Sequence, residues 1–175
     1  VEKACTAFQD DLPLAAMRAD LLIRQEQPEP AVQVMQDFVR RHPDNALAQA
    51  ELAVVLLKGG RSNEALSVFQ RIPAKQFTPP LRFTYAQALN SARRFSEAET
   101  QLRAAVKEAP DYAEAWQLLA LTLEERGDSK EALDIYQRIL SSDPGNRSAR
   151  IFLLRSHLRR GDSASALSAI QNSPD

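Results

Sequence analysis

Residues 113–146 read AEAWQLLALTLEERGDSKEALDIYQRILSSDPGN, and the fold of the whole chain turns on this stretch. Trp116, Leu119, Ala120 and Leu123 recur at the three-and-four spacing of one helical face, and Gly127 breaks the run. Asp128 follows as an N-cap with Glu131 three residues on, a pattern that predicts a capping box in which each carboxylate accepts from backbone N–H groups. Ala132, Leu133, Tyr136, Ile139 and Leu140 lay down a second apolar stripe, closed by Asp143-Pro144-Gly145-Asn146. The stretch therefore predicts two amphipathic helices joined by a tight turn.

The same unit recurs along the 175 residues. Ala31, Ala65, Ala98, Ala132 and Ala166 are 34, 33, 34 and 34 residues apart. Four residues after each, one turn along the same face, stand Met35, Phe69, Leu102, Tyr136 and Ile170. A third track runs through Leu52, Tyr85, Leu119 and Leu153, with Ala53, Ala86 and Ala120 beside the first three. Prolines agree with this division, because a proline in a helix interior costs about 3 kcal/mol and none of the ten needs to occupy one. Pro28 and Pro30 are expected in the first inter-helix turn, and Pro43, Pro73, Pro79, Pro80, Pro110 and Pro144 at or near unit junctions. Gly60, Gly127 and Gly161 share one turn position, where a residue without a β-carbon adopts positive φ at low cost. Glu26 and Arg93 replace glycine there in the other two units, which predicts some strain.

Composition excludes several classes of function. Lys and Arg number 22 against 23 Asp and Glu, a formal charge of −1, so no global basic field exists to hold a polyanion. One cysteine, Cys5, leaves no intrachain disulfide and no cysteine-rich zinc module. No apolar run approaches the roughly 18 residues of a membrane span. His42 and His157 are 115 residues apart and lack partners at a ligand spacing, and no P-loop, GxGxxG or G-x-S-x-G pattern occurs. The doublet Glu124-Glu125 reads as a solvated helix face, since adjacent helical residues point about 100° apart. The sequence thus predicts no catalytic residue, no metal and no cofactor.

The pattern Trp116-x-x-Leu119-Ala120-x-x-Leu123, followed by Gly127, Ala132, Tyr136 and Pro144, resembles the tetratricopeptide repeat. The resemblance extends over 12–45, 46–78, 79–112, 113–146 and a shortened 147–175, with 1–11 as an N-terminal helix or the remnant of a preceding repeat. Ala15, Gln49, Arg82 and Arg150 depart from it, standing where the family prefers Trp, and Leu154 replaces the small residue beside Leu153. It implies an all-α fold: a right-handed superhelical solenoid of stacked antiparallel helix pairs, about five repeats long. Small residues such as Ala53 with Ala65, or Ala120 with Ala132, let paired backbones approach, while Phe69 and Tyr136 fill space toward the next repeat. One pair cannot bury its apolar face alone, so stacking supplies the core.

The resemblance also implies a concave groove lined by the first helix of each pair. Its positions fall on Asp20 and Arg24, on Val54 and Lys58, and on Phe83, Gln87 and Asn90; they continue through Gln117, Leu121 and Glu124 to Ile151 and Arg155. Val54, Phe83, Leu121 and Ile151 make an apolar track suited to an extended peptide or amphipathic helix, with Gln87, Asn90 and Gln117 placed to bond its backbone. The Lys/Asn/Arg set with which some members clamp a chaperone's C-terminal carboxylate is missing: Ala16, Asp20, Glu51, Pro80 and Thr84 stand in that register.

A non-catalytic scaffold binding a protein segment in this groove is the leading expectation. Self-association through uncapped ends is a second, since the stripe Ala164, Leu167 and Ile170 runs almost to the last residue and predicts further repeats beyond this chain. Binding of RNA or an acidic partner through Arg147, Arg150, Arg155, Arg159 and Arg160 is a third, and it predicts steep salt dependence. Arginine outnumbers lysine 17 to 5, which points to a GC-rich, bacterial genome. Bacterial relatives serve envelope assembly, secretion or polysaccharide export, so a periplasmic or envelope setting is the expectation, with the cytoplasm next.

Overall fold

The computed structural model describes residues 10–166, so Cys5, the alanine–aromatic pair Ala4 and Phe8, and the final stripe at Leu167 and Ile170 lie outside the described residues. The chain divides into two compact units between Arg93 and Arg94. The first holds α1 (Leu12–Arg24), α2 (Pro28–Arg41), α3 (Ala46–Lys58), α4 (Ser62–Phe69), a 3-10 turn (Ala74–Gln76) and α5 (Pro79–Ser91). The second holds α6 (Phe95–Glu108), α7 (Ala113–Arg126), α8 (Ser129–Ser142) and α9 (Arg147–Arg159), then a helical turn at 163–166. No strand occurs among the described residues.

In the first unit each helix packs on its successor through α4, α5 lies on both α3 and α4, and the first helices of successive pairs, α1, α3 and α5, also lie side by side. The alanine track makes this possible: Ala31, Ala53, Ala65 and Ala86 are wholly buried. Met35, Phe38, Leu56 and Phe69 fill the space between, each worth roughly 1.5–3 kcal/mol on burial. Phe69 stacks on Tyr85 of α5 with ring centroids 4.8 Å apart, so the aromatic of one pair reaches into the next. The second unit repeats the device. Leu119, Leu123 and Tyr136 are buried, and Tyr136 stacks on Phe152 of α9 at 5.5 Å.

The inter-helix turn has one geometry throughout. Gly60, Gly127 and Gly161 have φ of 75°, 96° and 72°, and Glu26 and Arg93 occupy the same region at 58° and 59° despite their β-carbons. The chain just beyond donates back to the helix, as in Gln27 N–H to Leu22 O (2.9 Å), Arg61 to Leu56 (2.8 Å) and Asp128 to Leu123 (2.8 Å).

Helix starts differ from expectation in two ways. The capping box at Asp128 and Glu131 is not formed: the Asp128 side chain caps no N–H. Instead Asp128 pairs with Arg126 at 3.0 Å and Glu131 with Arg103 at 2.8 Å, because guanidinium partners on α7 and α6 outcompete the backbone donors. Side-chain caps form at α1, α3 and α9, with Asp11, Asn45 and Asn146 accepting from Leu14, Ala48 and Ala149 N–H at 2.9–3.0 Å, and at the turn 163–166, where Asp162 accepts from Ser165 N–H at 3.1 Å. Pro28 and Pro30 fall inside the first turn of α2 rather than ahead of it, where a missing N–H leaves no helical bond unmade.

The departures from Trp have a physical reason. Trp116 Nε1 donates to Pro110 O at 2.9 Å. Gln49 Nε2 and Arg150 Nη2, at the same place in their repeats, donate to Pro43 O and Pro144 O. Each supplies a side-chain N–H to the carbonyl of the proline six residues earlier. Arg82 has no such proline before it, and its guanidinium lies 5.6 Å over the Phe77 ring.

Candidate protein-binding site

In the first unit the expected groove residues lie on the face that α1, α3 and α5 form together. Three of them are committed to one another. Asp20 accepts from Lys58 Nζ at 2.6 Å and from Arg24 Nε at 2.8 Å, and the Lys58 hydrogen bond, then that of Arg24, holds the Asp20 carboxyl below the usual carboxylate range. This bridge ties α1 to α3 and neutralises that part of the face. Val54, Phe83 and Asn90 are half-buried and Gln87 is exposed.

In the second unit the corresponding face belongs to α7 and α9. Gln117 Nε2 donates to Asn146 Oδ1 at 3.3 Å, which makes it part of the α7–α9 junction. Leu121 is half-buried, Ile151 is 54% exposed, and exposed Arg155 holds its guanidinium 5.9 Å over the Phe152 ring. The glutamate doublet does not behave as a solvated pair. Glu125 is exposed and lies 4.0 Å from Arg159, whereas Glu124 is 7% exposed and its two carboxylate oxygens have no hydrogen-bond partner.

Tyr136 and Ser156, neither expected at a site, share that condition: the buried Tyr136 hydroxyl and Ser156 Oγ are also without partners. Burial first, and then the negative charge of Glu124, push the Tyr136 phenol well above its usual range, while Arg155 and Arg159 oppose them. Tyr136 was legible only as a core aromatic. Ser156 carried a visible clue, because its place in the repeat is buried and apolar at Val55 and Ala88, then turns to hydroxyls at Thr122 and Ser156. Thr122 returns its hydroxyl to Leu118 O at 2.7 Å; Ser156 does not do the equivalent.

Clefts also open elsewhere among the described residues. One, of about 380 Å³, lies against Trp116, whose ring carries the Arg138 guanidinium at 5.1 Å. Another, of about 800 Å³, runs between α1 and α2, beside an exposed stripe of Leu14, Met17 and Leu21. His42 Nε2 lies 3.1 Å from Asp10 Oδ1, and His157 Nδ1 lies 3.4 Å from Asp162 Oδ2. Among the described residues no group of three His, Cys, Asp or Glu side chains gathers to hold a metal, and no helix is long and apolar enough to cross a membrane.

The family model for the tetratricopeptide repeat matches residues 16–79 and 84–147. The chain belongs to the tetratricopeptide repeat family. No curated protein matches its sequence. Solved tetratricopeptide repeat structures share the fold at low identity. MamA from Desulfovibrio magneticus RS-1 is 18% identical with a TM-score of 0.78, over 93% of this chain and 92% of that one. YrrB, described as a TPR protein with an unusual peptide-binding site, is 19% identical with a TM-score of 0.72, over 98% and 89%. The pilF structure of Pseudomonas aeruginosa is 16% identical with a TM-score of 0.76, over 92% and 74%. The tetratricopeptide fold is that of an all-helical scaffold for protein–protein interaction, a family that is generally non-catalytic.

Proposed function

We propose that the protein binds an extended peptide or an amphipathic helix of a protein partner on the faces formed by its first helices, as a non-catalytic scaffold in a multiprotein assembly. One observation carries this reading. Val54, Phe83, Leu121 and Ile151 keep apolar surface open on those helices, although the buried alanine, leucine and aromatic tracks already complete the core of each unit. Half-buried Val54, Phe83 and Leu121 and exposed Ile151, with the exposed Gln87 amide one turn beyond Phe83, suit a segment that needs both apolar contacts and backbone hydrogen bonds. YrrB, which carries a peptide-binding site on the same fold, supports it as a likeness.

The test is capture from the native cell. Phe83→Glu, or Leu121→Glu, puts a charge at the centre of one face without touching a buried core position. The expected outcome is loss of most of the captured partner by one or both variants, with far-UV circular dichroism unchanged. Capture that is equal for wild type and both variants would remove these faces from the account.

A further inference from the structure

The charged groups on the two faces are treated differently. Asp20 receives Lys58 and Arg24, so the carboxylate of the first unit is satisfied from within the chain. Glu124 in the second unit receives nothing: both oxygens are sealed from water and without a hydrogen-bond partner. A buried carboxylate in that state is costly, and neither neighbouring repeat repeats it: the equivalent place holds Asn90 in the preceding repeat and exposed Leu158 in the following one. The two arginines whose charge acts on Tyr136 are turned elsewhere. Arg155 lies over Phe152, and Arg159 approaches Glu125 at 4.0 Å. Two more orphaned oxygens lie at the same junction: the Tyr136 hydroxyl, which feels the Glu124 charge, and Ser156 Oγ, one turn beyond the Phe152 ring on which Tyr136 stacks.

We propose that Glu124, Tyr136 and Ser156 form a seat for a lysine side chain of the partner segment. An ammonium group carries three donors and no acceptor, so it suits a set of two carboxylate and two hydroxyl oxygens that lack donors. Entry requires one neighbouring side chain to move aside, and Arg155 and Arg159 are exposed arginines whose rotamers exchange in picoseconds to nanoseconds. This inference rests on the proposed peptide-binding role and specifies its chemistry on the α7–α9 face.

The probe is a positional-scanning library of dodecapeptides, acetylated at the N-terminus and amidated at the C-terminus so that lysine supplies the only primary ammonium. Wild-type protein is expected to select lysine at one position, and replacing it with norleucine should weaken binding about tenfold or more. In Glu124→Gln the same replacement should change affinity by less than about twofold. Peptides that need Leu121 but bind wild type and Glu124→Gln with the same lysine preference, or with none, would overturn the lysine seat and leave the face intact. No binder at all, or binders indifferent to both Leu121→Glu and Glu124→Gln, would overturn both. A second measurement needs no ligand. Glu124→Leu should raise the thermal midpoint of the free protein, and a lowered midpoint would show that the carboxylate has a partner in the chain and overturn the proposal.

Discussion

Tyr136 packs as a core aromatic on Phe152 while its hydroxyl lies buried and unpaired. Its folded-state ionisation is raised above the unfolded value near 10, chiefly by burial. A raised value means that the folded protein holds the phenolic proton more tightly than the unfolded chain does. This contribution is therefore fully present below pH 10 and is lost as pH climbs from there toward the folded value, at up to about 1.4 kcal/mol per pH unit. Tyr136→Phe keeps the ring and removes the titrating group, so its melting temperature should fall less between pH 9 and 11 than that of wild type; identical slopes would contradict the assignment. The sequence showed Tyr136 as an apolar filler because the periodicity that identifies a core position is blind to a hydroxyl at the end of the ring. For the same reason it placed Glu124 in solvent: a charge doublet on a helix says nothing about which neighbour covers it. The strained turns were legible, since Glu26 and Arg93 stand in the series Gly60, Gly127 and Gly161 and share its positive φ.

At the scale of the element, the helices follow from the 34-residue pattern because each apolar stripe has 3.6-residue periodicity and each proline sits at a boundary. Initiation was harder to read. Asp128 and Glu131 match a capping box in sequence, but Arg126 and Arg103, contributed by other helices, take both carboxylates. At the corresponding place α4 and α6 open with Arg61–Glu64 and Arg94–Glu97 ion pairs at 2.6 Å, whereas the turn at 163–166 opens on Asp162, whose Oδ1 accepts from Ser165 N–H at 3.1 Å. At the fourth position of α3 and α9 a side-chain N–H of Gln49 or Arg150 takes the part that Trp116 plays in α7, whereas Ala15 in α1 has no donor to offer. Gln49→Leu, which deletes the N–H given to Pro43 O, should lower stability by about 0.5–1.5 kcal/mol in urea unfolding. Gln49→Trp, which restores a donor, should lie within about 0.5 kcal/mol of wild type. A Leu variant as stable as wild type would show that the contact contributes nothing.

At the scale of the molecule, each unit forms its proposed binding face on the same helices that build its core. The tracks that point between helix pairs carry alanine, leucine and aromatics, and the tracks left over on the first helices are free to vary. That division explains why the fold was almost wholly legible in the chain and the site only partly so. Core positions are held to a narrow set of sizes by packing, whereas face positions such as Asp20, Phe83, Glu124 and Ile151 differ from repeat to repeat and reveal their condition only through their neighbours. Asp20 and Glu124 are both carboxylates on first helices, yet one is neutralised by Lys58 and the other is left empty-handed. The most direct test of the central claim is hydrogen exchange of the chain with and without a dodecapeptide selected from the library. The account predicts slowed exchange in the first helices of a unit, α1, α3 and α5 or α7 and α9, with α2, α4, α6 and α8 little changed. Protection concentrated in those second helices, with the first helices unaffected, would contradict it.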